Sequence, residues 1–92
     1  MKFYNFDDAW PYTAVIYAKD EKDAIAKYIE EVTDTLDEEE QKLAPNEIQV
    51  ADIMEWCKAT YDNEGCKFIE NRIQECLNSE FTQLLLLDHY LD

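Results

Sequence analysis

The spacing of hydrophobic positions changes once near the start of the chain, and this change marks its first structural unit. Residues 13–18 are apolar or β-branched on both faces, which is typical of a strand covered on both sides. From Ala24 to Leu36 the apolar residues instead recur every three or four positions, as on one stripe of a helix. Asp20 precedes this helix and is placed to cap its free amides. A strand that leads directly into a helix predicts that the helix folds back across a sheet.

The segments on either side of this unit predict two more strands. Residues 1–6 alternate and are rich in aromatic side chains, so we expect them to pair with residues 13–18 as a hairpin. Trp10 and Tyr12 flank the connecting loop, where they either cap the core or form part of a binding surface. Residues 48–50 predict a brief strand. We expect it to be parallel to its neighbour, because a helix separates it from residues 13–18.

The second half of the chain begins with two predicted helices. The first spans about two turns from Ile53 to Tyr61, with Asp52 as its N-cap. Gly65, the only glycine in the chain, is expected to break the helical pattern with a positive φ. The next helix covers residues 66–78, and its expected buried face consists of Phe68, Ile69, Ile73, Cys76 and Leu77.

The last regular element is interpreted as a strand over residues 81–87. Leucines fill both faces of this segment, which is expected for a covered strand, and the preceding helix needs a sheet to pack against. A helix over Glu80–Leu91 remains the alternative, because leucine favours helices.

These elements together predict an α+β fold in one domain, residues 1–92. The order along the chain is β-β-α-β-α-α-β, with about four strands in a small mixed sheet and the helices packed on one face.

Charge is the one compositional feature that bears on function. The chain carries 22 acidic and 8 basic side chains, a net charge of −14 at pH 7. The excess is shared equally, since residues 1–46 hold 12 acids against 5 bases and residues 47–92 hold 10 against 3. Such a charge repels nucleic acid and anionic membranes and attracts basic proteins. Acidity that only keeps the protein dispersed is the alternative interpretation.

The acids concentrate in two stretches, which we treat as candidate partner-binding patches. Carboxylates spaced along a helix face can approach the charge density of a phosphate backbone, so such a patch is suited to a basic nucleic-acid groove. The first patch, called here the α1-end patch, consists of Glu30, Glu31, Asp34, Asp37, Glu38, Glu39 and Glu40. The second, called the α3 patch, consists of Asp62, Glu64, Glu70 and Glu75.

Catalytic and metal-binding motifs are not recognisable in the sequence. His89 is the only histidine, no nucleophile is marked by a glycine-flanked turn, and one glycine makes no phosphate-binding loop. Three cysteines without CxxC spacing are typical of free thiols in a reducing cytoplasm. We therefore expect no enzyme, cofactor, metal site, direct nucleic-acid binding or membrane contact.

Two hypotheses about binding remain. The first is an inhibitor or binding protein that engages a basic surface on a larger protein. The second is a small interaction module or homodimer that binds through an apolar patch of Trp10, Trp56 and Tyr61.

The opening MKFYNF and the strand-to-helix junction YAKDEKDAIAKY, within a small and very acidic chain, resemble small proteins of phages and mobile elements, anti-CRISPR inhibitors among them. The resemblance covers the whole chain in size, charge and style. It implies a partner among the CRISPR effectors and a location in the cytoplasm of a bacterial host, and it assigns a role to no individual residue.

Overall fold

The part of the chain that the structure describes has four strands and three α-helices, in the order expected from its hydrophobic pattern. A computed structural model describes residues 1–7, 9–33 and 36–87. The α+β class and the order β-β-α-β-α-α-β are confirmed. The elements are β1 (Lys2–Phe6), β2 (Ala14–Ala18), α1 (Glu21–Glu31), a 3-10 helix (Glu40–Lys42), β3 (Asn46–Ile48), α2 (Val50–Thr60), α3 (Asn63–Leu77) and β4 (Gln83–Leu87).

The strands form one sheet in the order β3-β1-β2-β4, and each described pairing is antiparallel. The prediction of a mixed sheet with a parallel third strand is therefore wrong. Strands β2 and β3 do run in the same direction, as expected of two strands linked through a helix. They are not neighbours, however, because β1 lies between them and pairs with both.

Helices cover both faces of the sheet, so the prediction of helices on one face is wrong. One hydrophobic cluster joins Val15 and Tyr17 of β2 to α2 and α3. The other joins Ala14, Ile16 and Ala18 of the same strand to α1. All five residues of β2 are buried. A strand without a polar face requires cover on both sides, and the two helical layers provide it.

Tyr28 of α1 is the centre of the cluster between α1 and the sheet. Its ring is fully buried, stacks on Phe6 with centroids 4.4 Å apart and meets the edge of Trp10 at 5.1 Å. The Tyr28 hydroxyl accepts a hydrogen bond from the Tyr12 N–H at 2.9 Å and donates one to the Tyr12 carbonyl at 2.8 Å. Burial raises the pKa of Tyr28, so the hydroxyl keeps its proton and both bonds at neutral pH.

Several predicted boundaries shift once the caps are seen. Helix α1 ends at Glu31 rather than continuing to Leu36, which nevertheless lies buried against the α1 side of the sheet. Asp20 is confirmed as the N-cap of α1, because its side chain accepts a hydrogen bond from the Asp23 N–H at 2.8 Å. Asp52 is not a cap. It lies inside the first turn of α2 and accepts a hydrogen bond from the N–H of the actual N-cap, Gln49, at 3.2 Å.

Gly65 lies in the first turn of α3 and does not have the expected positive φ. A Cβ atom at this position would lie 2.9 Å from the Cβ of Tyr61. The glycine is therefore explained by the close approach of the preceding segment to the helix rather than by its backbone angles.

The buried face of α3 is narrower than expected. Ile69, Ile73 and Cys76 are buried, whereas Phe68 is 65% exposed and Leu77 is 48% exposed. The strand interpretation of the last element is confirmed for Gln83–Leu87. The predicted turn at Asp88–His89 and the pairing of Tyr90–Leu91 lie outside the described residues.

The hydroxyl of Tyr28 generates the first testable prediction. We expect Tyr28→Phe to lower the free energy of unfolding by about 1–3 kcal/mol, because the N–H and carbonyl of Tyr12 lose their partner in a half-buried loop. Tyr12→Phe removes an exposed hydroxyl next to the same backbone and serves as the control, with a change near zero. Urea unfolding followed by circular dichroism measures both. Equal stabilities of the two variants would contradict the prediction.

Candidate functional site

The α1-end patch begins in the last turn of α1 and continues through the loop that follows. Residues 28–41 contain seven carboxylates and no lysine or arginine. Leu36 anchors this loop, because its side chain is buried in the cluster that contains Tyr28, and its carbonyl accepts a hydrogen bond from the Gln41 side chain at 3.0 Å. Glu30, on the helix, and Glu38, on the loop, therefore lie on the same side of the sheet.

Part of the α1-end patch serves the local structure. Glu31 forms an ion pair with Lys27 at 3.0 Å. Asp37 and Glu40 exchange two hydrogen bonds: the Glu40 N–H donates to the Asp37 carboxylate at 2.8 Å, and the Asp37 N–H donates to the Glu40 carboxylate at 3.0 Å. This reciprocal pair has the geometry of a capping box and ties the loop to the first residue of the 3-10 helix. These three acids are thus explained without a partner.

The remaining described acids of this patch are exposed and unpaired. Glu30, Glu38 and Glu39 form no ion pair with another residue of the described ranges. Glu30 also lies in the last turn of α1, which contains no basic residue. Negative charge at a helix C-terminus opposes the helix dipole and costs stability. Asp34, the seventh predicted member, lies outside the described residues.

Two of the four acids of the α3 patch also serve the local structure. Asp62 is the N-cap of α3, and its carboxylate accepts a hydrogen bond from the Gly65 N–H at 2.8 Å. Glu75 forms an ion pair with Arg72 at 2.9 Å. Glu64 and Glu70 are exposed. Lys67 and Arg72 lie on the same helix, so this patch carries less net charge than the α1-end patch.

The structure does not bring the two patches together. The α1-end patch belongs to the helical layer that packs on Ala14, Ile16 and Ala18 of β2. The α3 patch belongs to the opposite layer, which packs on Val15 and Tyr17. A flat basic surface that contacts one patch therefore leaves the other facing away from it.

The predicted apolar patch of Trp10, Trp56 and Tyr61 is wrong as a single surface. Trp10 is 5% exposed and packs beside Phe6 and Tyr28 on the α1 side, so the core-cap interpretation is confirmed for Trp10. It is wrong for Tyr12, which is 49% exposed. Trp56 and Tyr61 meet edge to face at 5.4 Å on the other side of the sheet, and Trp56 is 43% exposed.

The prediction missed the exposed aromatic rings of Phe68 and Phe81, which are 65% and 77% accessible. The helical stripe of Ile69, Ile73 and Cys76 already places Phe68 about 100° away from its centre, which is the signal that could have identified it.

The cysteines are free thiols in unequal surroundings. Cys57 and Cys76 are buried between the sheet and helices α2 and α3, and Cys66 is half-buried. Burial raises the pKa of the Cys57 thiol to about 11 and also raises that of Cys76. Within the described ranges, no three histidine, cysteine, aspartate or glutamate side chains are grouped to hold a metal ion. His89 lies outside these ranges.

The thiols generate the second prediction. At pH 8 we expect Cys66 to react with Ellman's reagent in the folded protein and Cys57 to react more slowly by at least about a hundredfold, because burial suppresses both access and ionisation. In urea all three thiols should react alike. Rapid labelling of Cys57 under native conditions would contradict this.

The same shift affects stability at high pH. The Cys57 thiol ionises near 9.0 in the unfolded chain and near 11 in the folded one, so the folded state loses stability as pH rises through this interval.

The position of Glu30 generates the third prediction. We expect Glu30→Lys to raise the free energy of unfolding by about 0.3–1 kcal/mol at low salt, because a positive charge at the end of α1 favours the helix dipole. Glu38→Lys makes the same charge change away from that helix end, so it should raise the free energy of unfolding by less. Thermal unfolding at low and high salt measures both, and an equal gain would assign the effect to net charge alone.

Comparison with known proteins identifies a family. The family model described as the YosH C-terminal domain matches residues 1–86. Searches of curated proteins and of solved structures gave no match. Across the described ranges, no helix combines the length and the apolar composition needed to cross a membrane.

Proposed function

The chain belongs to the YosH C-terminal domain family, and we propose that it is a non-enzymatic inhibitor or binding protein that engages a basic, nucleic-acid-binding surface of a larger protein. The observation that supports this most is the composition of the α1-end patch. Its seven carboxylates occur without an intervening basic residue. Within the described structure, three of them, Glu30, Glu38 and Glu39, are exposed and form neither an ion pair nor a side-chain hydrogen bond.

The placement of these acids argues that they serve more than solubility. Glu30 opposes the dipole of α1, whereas the same charge on a helix N-terminus would have stabilised the fold. Leu36 and the Gln41 hydrogen bond hold the loop that presents Glu38 and Glu39. A basic groove would relieve the repulsion among these carboxylates and release its own counterions on binding.

We propose that the partner is a protein with a nucleic-acid-binding groove. The most specific form of this proposal is that the partner is a CRISPR effector in the cytoplasm of a bacterial host. This specific form rests on the resemblance to small acidic proteins of phages and mobile elements. The description of the family names a domain and no activity.

A second candidate function is an interaction module that binds through apolar contacts on the α2–α3 side. It is favoured by the exposed ring of Trp56, which is held edge to face against Tyr61, and by the exposed ring of Phe68. Such binding would depend little on salt, whereas binding through the α1-end patch would weaken steeply as salt rises.

The two patches provide a matched pair of variants for the fourth prediction. Glu38→Gln with Glu39→Gln neutralises two exposed acids on the α1 side, and Glu64→Gln with Glu70→Gln neutralises two on the opposite side. The assay measures displacement of labelled DNA from a purified Cas9-type effector at several salt concentrations. We expect the wild-type chain to displace DNA, the α1-side variant to do so at least about tenfold less well, and the α3-side variant to match wild type.

Two results would contradict the proposal in different ways. If neither variant differs from wild type and binding is insensitive to salt, the α1-end patch is not the contact surface. If the wild-type chain displaces nucleic acid from none of a panel of basic DNA- and RNA-binding proteins that includes the effector, inhibition through charge is wrong altogether.

A further inference from the structure

The two edges of the sheet differ in how they are protected against pairing with another chain. Strand β3 forms one edge, has only three residues and carries Glu47, which pairs with Lys2 at 3.2 Å. Strand β4 forms the other edge, with five residues, Gln-Leu-Leu-Leu-Leu, and neither charge nor proline. Long, uncharged edge strands present unpaired backbone groups on which a second strand can align, so β4 is the edge that needs protection.

Arg72 of α3 reaches this edge. Its guanidinium donates a hydrogen bond to the Leu84 carbonyl of β4 at 2.9 Å, and another of its nitrogens bonds the Glu75 carboxylate at 2.9 Å. The planar guanidinium can make both bonds at once, whereas a lysine ammonium at the same place is a single point charge. The Leu84 carbonyl is thereby occupied by a charged group from the chain's own helix. The pairing of β4 with β2 is also irregular beside Leu84, between Val15 and Ile16 of β2.

We propose that Arg72 protects the β4 edge and prevents β4 from pairing with β4 of a second copy of this chain. Its guanidinium occupies an acceptor that an incoming strand would need, and it places a positive charge beside the leucines. Since helices cover both faces, the sheet can grow only at an edge. This inference does not rest on the proposed function.

A second copy is the expected occupant because β4 is the uncharged part of a very acidic chain. Two molecules of net charge −14 repel each other over most of their surface. Pairing of β4 with β4 of another copy places no carboxylate within the new strand pair, and an antiparallel pair of identical strands is self-complementary about a twofold axis. High salt should favour this association by screening the repulsion, the opposite of its effect on a basic partner.

Three variants test the proposal in the full chain. Arg72→Met keeps the packing of the side-chain stem and removes every donor. Arg72→Lys keeps the charge but replaces the two bonding nitrogens of the planar guanidinium with a single ammonium nitrogen. Glu75→Gln is the matched control, because it removes the ion pair and leaves the guanidinium free to bond Leu84. Adding Gln83→Lys to Arg72→Met restores a positive charge on the edge strand itself. Sedimentation velocity over a range of protein concentrations at low and high salt is the measurement, with circular dichroism to verify folding.

The expected result is a monomeric wild type and a monomeric Glu75→Gln control. Arg72→Met should dimerise at high salt with an affinity at least about tenfold above wild type, and the added Gln83→Lys should return it to a monomer. Arg72→Lys should dimerise more tightly than wild type. The proposal is overturned if the folded Arg72 variants are as monomeric as wild type, if Gln83→Lys does not suppress their association, or if wild type itself already pairs through β4.

Discussion

The burial of β2 on both faces is the constraint on which the rest of the structure depends. A strand with no polar face cannot lie at a solvent boundary, so α1 must cover one side and α2 with α3 must cover the other. Strand β2 also lies between β1 and β4, so both of its edges are paired as well. Tyr28 holds α1 against the sheet. Its buried ring stacks on Phe6, and its hydroxyl makes hydrogen bonds with both the N–H and the carbonyl of Tyr12, next to Pro11.

Local patterns in the sequence were sufficient to predict most of the helices and strands, but not how these elements are arranged in space. The change of hydrophobic spacing after residue 18 identified β2 and α1, and Asp20 marked the start of that helix correctly. The face that each helix covers, and the pairing of β3 with β1, depend on contacts between residues distant in the chain. Helix α1 was extended too far because Leu36 continues the helical spacing, yet it reaches the core from a loop.

The candidate site shows the same division. The acidic stretches are visible in the sequence, but their division between opposite sides of the sheet is not, because it follows from which layer each helix joins. Local cues identified some structural roles, such as the N-cap formed by Asp20 outside these stretches. They did not reveal that Asp37 and Glu40 bond each other, because a 3-10 helix of three residues leaves no hydrophobic spacing to read. The acids without such a role are the ones that remain for a partner.

The two tryptophans give the protein an intrinsic optical reporter on each side of its sheet. Trp10 is buried among aromatic rings in the α1 layer, whereas Trp56 is partly exposed to solvent in the opposite layer. Their fluorescence emission should therefore differ in wavelength and in access to a soluble quencher such as iodide. Replacing either tryptophan by phenylalanine leaves a single tryptophan, whose emission then reports on the loosening of one helical layer without labelling of the chain.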